Sequence, residues 1–264
     1  TAVFAQWQAY TDVHNVVLGV RRIDEEQFGG HTVGSLDYGF RVIDGLRLLA
    51  SAGTGFKAPT LFQSFTPRYG NPDLEPEQSA TVEFGVAGSP RWGGWSIRAY
   101  RTEVDDLIDY VNNPPTFLFG SEDTYANVDE VRIDGLEVEL SAQLRGWNTS
   151  VSYSWSEAID QGTGDPLPNR AERTFRAGLD RSYGALRVGG SIEAQSERSG
   201  GQFSDPVPGY GIVNLHAGYR FSPAWRIRAT MENVGDVSYR TTDQYRAPGR
   251  TTFVHLTYAA GGGV

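Results

Sequence analysis

Two alternations, one nested inside the other, restrict what this chain can fold into. The first is residue by residue. About thirteen segments alternate apolar and polar side chains, as strands with one apolar face do: residues 3–10, 16–23, 33–43, 46–56, 80–88, 95–110, 133–144, 147–159, 175–183, 186–195, 212–221, 225–234 and 251–259. Trp147, Thr149, Val151, Tyr153 and Trp155 share one face of their segment, against Asn148, Ser150, Ser152, Ser154 and Ser156. The second alternation is in the connections. Short turns at 11–14, 44–45, 90–94, 145–146, 183–184 and 222–223 take turns with long ones at 25–32, 57–79, 112–124, 161–173, 196–210 and 235–249. Such a sheet has its tight turns at one end and its long loops at the other. That is the layout of an antiparallel up-and-down transmembrane β-barrel, with short periplasmic turns and long external loops. A Greek-key sandwich has no reason to keep this parity. Helical patterning is confined to one turn at 60–65.

The remaining composition fits. A net charge of −9 without basic clusters argues against nucleic acid as a partner. There is no cysteine, hence neither a disulfide framework nor a thiolate metal site. No apolar run reaches the length of a membrane helix, but a barrel needs none, because only alternate residues meet lipid. Trp92, Trp95, Trp147 and Trp225 lie in or just after short turns and Trp7 just before one, as in a periplasmic aromatic girdle, and only Trp155 lies toward the long-loop end. Arg22 and Arg181 are outward charges near strand ends, where they snorkel. The first residues, Thr1 to Gln6, carry no export signal and read as the middle of a strand, so the chain is expected to be a piece of something longer.

The stretch Gly55-Phe56-Lys57-Ala58-Pro59-Thr60-Leu61, followed by Gly70-Asn71-Pro72-Asp73-Leu74-Glu75-Pro76-Glu77, resembles the barrel signature of TonB-dependent outer-membrane receptors. Its turn formers also have a plain reading, which is that they shape a loop and touch no ligand. Further matches run along nearly the whole chain: Val42 to Gly45, Ala50 to Thr54, Asp106 to Tyr110, Asn127, Arg132 to Glu137, Pro166-Leu167, Arg170-Ala171, Glu232 to Asp236 with Tyr239, and Tyr245 to Arg250. Within the family the resemblance is closest to the vitamin B12 (cobalamin) receptor group. It implies that residues 1–264 are about the last thirteen strands of a 22-stranded barrel. It further implies an N-terminal plug domain and a TonB box that contacts the energy-coupling complex. Such barrels end on an aromatic residue read by the barrel-assembly machinery. Here Tyr258 is followed by Ala259-Ala260-Gly261-Gly262-Gly263-Val264, a departure with two readings: either the terminus is altered or assembly reads Tyr258. An open sheet leaves two unpaired edges, so this stretch alone is expected to aggregate or to require its N-terminal half.

No catalytic constellation is present, and no cofactor is expected. His14, His31, His216 and His255 are scattered and imply no metal site. Residues 160–165 resemble a calcium loop but lack the closing bidentate Glu. Glu122, Asp123, Asp129 and Glu130 form an acidic patch that could bridge lipopolysaccharide through divalent cations, or simply be solvated. The predicted lumen face carries Asp37, Arg41, Arg47, Glu83, Arg98, Glu137, Glu139, Arg176, Asp180, Arg187, Glu193, Arg226, Arg228 and Glu232, with both signs interspersed. It would hold a plug through polar contacts, although any wet barrel wall is polar. For capture of a bulky small-molecule ligand the candidates are the aromatic residues of the long loops: Phe62, Phe65, Tyr69, Phe117, Phe119, Tyr125, Tyr239 and Tyr245. The resulting expectation is an active-transport receptor in the outer membrane of a Gram-negative bacterium, taking up cobalamin. An iron-siderophore or haem receptor is the first alternative, and a soluble secreted β-sheet binding protein the second.

Overall fold

The structure, a computed structural model, describes residues 1–111, 124–128, 130–200, 205–243 and 245–259. Its strands are β1 (Ala2–Tyr10), β2 (His14–Glu25), β3 (Gly29–Ile43), β4 (Leu46–Lys57), β5 (Glu77–Gly88), β6 (Gly93–Asp105), β7 (Ile108–Val111), β8 (Thr124–Asn127), β9 (Val131–Leu144), β10 (Trp147–Asp160), β11 (Arg173–Tyr183), β12 (Leu186–Gln195), β13 (Tyr210–Arg220), β14 (Trp225–Glu232), β15 (Arg240–Thr242), β16 (Tyr245–Arg246) and β17 (Thr251–Tyr258). One helix, α1 (Leu61–Phe65), lies between β4 and β5. Thirteen strands form one sheet in the order β1-β2-β3-β4-β5-β6-β9-β10-β11-β12-β13-β14-β17, and β7–β8 and β15–β16 form two small hairpins. Sheet order follows chain order, which is the up-and-down arrangement the connections predict.

Two expectations are corrected. Residues 95–110 do not make one strand. The chain turns at Asp106, which adopts φ 58, and 108–111 leave the sheet to pair with β8. Aspartate tolerates the left-handed region, and the doublets Asp105-Asp106 and Leu107-Ile108 interrupt the alternation at this point. The connection at 25–32 is not long. Register continues to the pair Glu25↔Gly29, and a three-residue turn closes the hairpin with Gly29 at φ 75.

The chain divides into two compact units, one of Thr1–Val86, Arg98–Gly135 and Glu157–Leu167, the other of Ala87–Ile97, Leu136–Ser156 and Pro168–Val264. In the first, the register Trp7↔Leu18, Leu18↔Leu36 and Leu36↔Ala52 aligns one apolar face across β1 to β4. In the second, Leu179↔Gly190, Gly190↔Leu215, Leu215↔Met231 and Ile227↔Leu256 do the same across β11 to β17. These faces are bare: Leu179 is 51% exposed, Leu215 49%, Val254 65% and Leu256 60%. A contiguous apolar surface of this kind is rare on a soluble monomer and marks a face that meets lipid or a partner, which counts against the soluble alternative. The buried apolar cluster of the first unit is small. Val131, Ala158 and Leu167 pack with Val104, Leu107, Val128 and Ile133 near the roots of the long loops.

Candidate functional site

The long connection between β4 and β5 is built by its own side chains. Thr60 caps α1, its hydroxyl accepting from Gln63 N while the Gln63 side chain accepts from Thr60 N at 2.9 Å. The helix lasts five residues and stops at extended Thr66. The chain then folds back so closely that Gly70 N donates to Thr66 O at 2.7 Å, and a Cβ at Gly70 would lie 2.5 Å from Thr66 N. Only glycine fits that approach.

From there the signature residues tie the loop down. Asn71 Nδ2 donates to Tyr125 O at 3.0 Å, and Asn71 Oδ1 accepts from Asp73 N at 2.9 Å. Leu74 is buried. Glu75 and Asn127 exchange two hydrogen bonds of 2.8 Å, and Asn127 also donates to Asp106 O at 2.7 Å. Buried Glu77 receives Lys57 Nζ on both oxygens, at 2.8 and 2.9 Å, and the backbone N–H of Ile108 at 3.1 Å. Ala58, Pro59 and Pro76 lie in the irregular links between these anchors, and Pro72 sits in the turn at 72–73.

The result is a platform with an aromatic edge. Phe62 meets Tyr125 edge-on at 6.2 Å, Tyr125 meets Tyr110 at 5.3 Å, and Tyr110 meets Tyr69 at 5.9 Å. Leu61, Phe62 and Phe65 are well exposed beside it, and the Arg68 guanidinium sits 5.9 Å from the Tyr69 ring centroid. Three of the predicted aromatic residues, Phe62, Tyr69 and Tyr125, are thus brought together. Tyr110 joins them because β7 leaves the long strand expected over 95–110 and pairs with β8; its match within Asp106 to Tyr110 was the available signal. In the other unit Tyr239 packs on Tyr210 at 4.4 Å, and Tyr245 stands exposed in the β15–β16 hairpin. Phe117 and Phe119, and Glu122, Asp123 and Asp129 of the acidic patch, lie outside the described residues.

A second clasp closes the 233–250 loop. Buried Asn233, at φ 50, receives Val237 N at 2.9 Å and donates to Val237 O at 2.8 Å, while its own N–H goes to Asn214 Oδ1 at 2.9 Å. Asp236 Oδ1 accepts from Arg250 N at 2.8 Å, and Arg250 Nε donates to Val234 O at 2.9 Å.

The predicted lumen residues fall on the polar faces, many in pairs. Arg98 faces Glu83 at 3.8 Å, Arg176 faces Glu193 at 3.6 Å, and Arg187 is bonded to Asp180. Glu139 accepts from Ser96 Oγ at 3.5 Å, and Glu137 lies two residues earlier on the same strand face. Arg47 stands opposite Arg41, Arg226 opposite Arg220, and Arg228 opposite Gly218 and His255. The sequence reading missed one charged cluster on the other face of the first unit. Arg101 Nε and Nη2 clasp Asp134 at 2.7 and 3.2 Å, and Arg132 adds a contact of 3.3 Å. In the 160–165 turn Asp160 Oδ1 accepts from the backbone of Gly162 and Thr163. Among the described residues no group of His, Asp or Glu is arranged to hold a metal.

A family model described as "TonB dependent receptor-like, beta-barrel" matches residues 1–234. The chain is similar to the vitamin B12 transporter BtuB of Vibrio vulnificus, 31% identical over 265 residues, covering 95% of this chain and 42% of that protein. It thus spans well under half the length of that relative. Among solved structures it resembles the copper transporter OprC, with a TM-score of 0.81, 18% identity and coverage of 97% of this chain and 47% of the other. It also resembles a variant of the ferric enterobactin receptor PfeA of Pseudomonas aeruginosa in complex with enterobactin, at 0.83 and 20%, covering 97% of this chain and 45% of the other. At such identities these two likenesses speak for the fold alone. With the sheet order, the bare apolar faces and the family match together, the chain belongs to the TonB-dependent receptor β-barrel family.

Proposed function

We propose that this chain is part of the barrel domain of an outer-membrane transporter that takes up cobalamin. The observation that carries the ligand is the 31% identity with a vitamin B12 transporter along 95% of the chain. In this reading the apolar faces meet lipid, the tight turns lie in the periplasm and the long loops meet the medium. The edge formed by Phe62, Tyr69, Tyr110 and Tyr125, with Phe65, Phe117, Phe119, Tyr239 and Tyr245 as further loop candidates, packs on the bulky ligand. The signature residues shape the loop without touching the ligand. The polar faces, from Arg47 and Glu83 to Arg226 and Arg228, line the lumen against an N-terminal plug that the TonB complex moves at the expense of inner-membrane energy. Lipid, lipopolysaccharide and the barrel-assembly machinery are the other partners, and no step is catalytic.

Arg68 over Tyr69 favours a second reading, because a cation at the aromatic edge suits an anionic ferric siderophore. Equilibrium binding to the full-length protein separates the two. Cyanocobalamin should bind tightly and ferric enterobactin weakly, and removing two rings together, Tyr110→Ala with Tyr125→Ala, should weaken cobalamin binding at least about tenfold. Preference for the ferric siderophore would assign the protein to the second reading.

A further inference from the structure

Arg181 is a charge on an apolar face. It lies on β11 near the Tyr183–Gly184 turn, with Trp147 and Val188 as its register partners on either side. Its guanidinium sits 5.7 Å from the Trp147 ring centroid and 4.5 Å from that of Tyr183, while the two rings meet edge-on at 6.5 Å. Among the described residues no carboxylate pairs with it. Beside it the same face opens into a groove of about 400 Å³ whose lining includes Trp147. Gly190 leaves its floor bare, and Leu179, Val188, Ile192 and Leu215 wall it. Trp147 therefore belongs to both the cationic cage and the groove. A guanidinium between two rings is weakly hydrated and keeps its donor fork for a planar or tetrahedral oxyanion. An apolar groove that starts at that charge matches an acyl chain tied to an anionic head.

We propose that Arg181 and the groove over Gly190 bind one glycerophospholipid, its phosphate on Arg181 and one acyl chain along Gly190. The site rests on the membrane reading above, which puts the tight-turn end at the periplasmic leaflet. It is specific for lipid rather than for free phosphate, because the groove holds the chain and the cage alone offers a single cation.

The test uses the full-length protein released from membranes in mild detergent, with added dioleoyl-phosphatidylglycerol counted by native mass spectrometry. Two lipid-facing variants are compared with the wild type: Arg181→Gln removes the charge and Val213→Trp fills the groove from its edge. Cobalamin binding should be unchanged in both, which checks that they fold. The wild type should retain one phosphatidylglycerol that each variant retains about tenfold less. Glycerol phosphate at equal concentration should not displace it. Wild-type retention by either variant, or displacement by glycerol phosphate as effective as by lipid, would overturn the site. Recovery of the protein from the soluble fraction would instead overturn the membrane reading on which it rests.

Discussion

Replacing Leu215 by arginine asks whether the apolar face of the second unit meets lipid. Leu215 has five residues of β13 on either side, 49% of its surface is exposed, and it lies between Gly190 and Met231. At about 3.4 Å per residue and a tilt of about 45°, it sits about 12 Å from either strand end along the membrane normal, the middle of an apolar band about 25 Å tall. Arginine there should cost about 2–4 kcal/mol. The neighbouring Asn214 is the obvious control on the polar face, but the structure disqualifies it. Its side-chain oxygen holds the N–H of buried Asn233 at 2.9 Å, and losing that bond would itself cost about 1–3 kcal/mol. Thr230 is the better control. It stands opposite His216 and Phe253 on the polar face, where Thr230→Arg should cost about 0.5 kcal/mol or less. Urea unfolding of the full-length protein in phospholipid vesicles, followed by tryptophan fluorescence, gives both values. Equal costs, or a larger cost at Thr230, would refute the assignment of faces.

The loop anchors give three further expectations. Glu77→Ala leaves the Ile108 N–H without its acceptor, so that amide should exchange faster by the equivalent of about 1–3 kcal/mol; unchanged protection would mean the contact carries little. Gly70→Ala drives a methyl group into the Thr66 backbone and should cost about 1–3 kcal/mol, seen as faster proteolysis within 57–77; wild-type cleavage would show that the loop yields freely. Asn233→Ala removes both side-chain bonds to Val237 and sets alanine at a positive φ. It should loosen 233–250 while leaving 57–77 as resistant as before, and a uniform loss of resistance would argue against a local clasp.

Much of the sheet was legible in the sequence because a strand with one lipid face advertises itself at period two, and because tight and long connections keep their ends. The departures have local causes. The alternation stops at Asp105-Asp106 and Leu107-Ile108, where the left-handed backbone of Asp106 sends Ile108–Val111 into a separate hairpin, although a strand through 95–110 was expected. That detour also carries Tyr110 to the aromatic edge, a placement that depends on β7 pairing with β8 and not on any pattern around Tyr110 itself. Asn127 was visible as a match but not as the side chain that clasps Glu75, because the partners are far apart in the chain. Arg101 and Asp134 escaped notice for the same reason: each alone is an outward charge, and only the strand arrangement makes them a pair.

The most direct test of the account is energy-dependent uptake. Radiolabelled cobalamin is supplied to cells whose outer membrane holds the full-length protein as its sole receptor of this family. The account predicts accumulation against the gradient, lost when TonB is deleted or the proton-motive force is collapsed. No accumulation of cobalamin by cells that do accumulate a ferric siderophore through the same protein would contradict it.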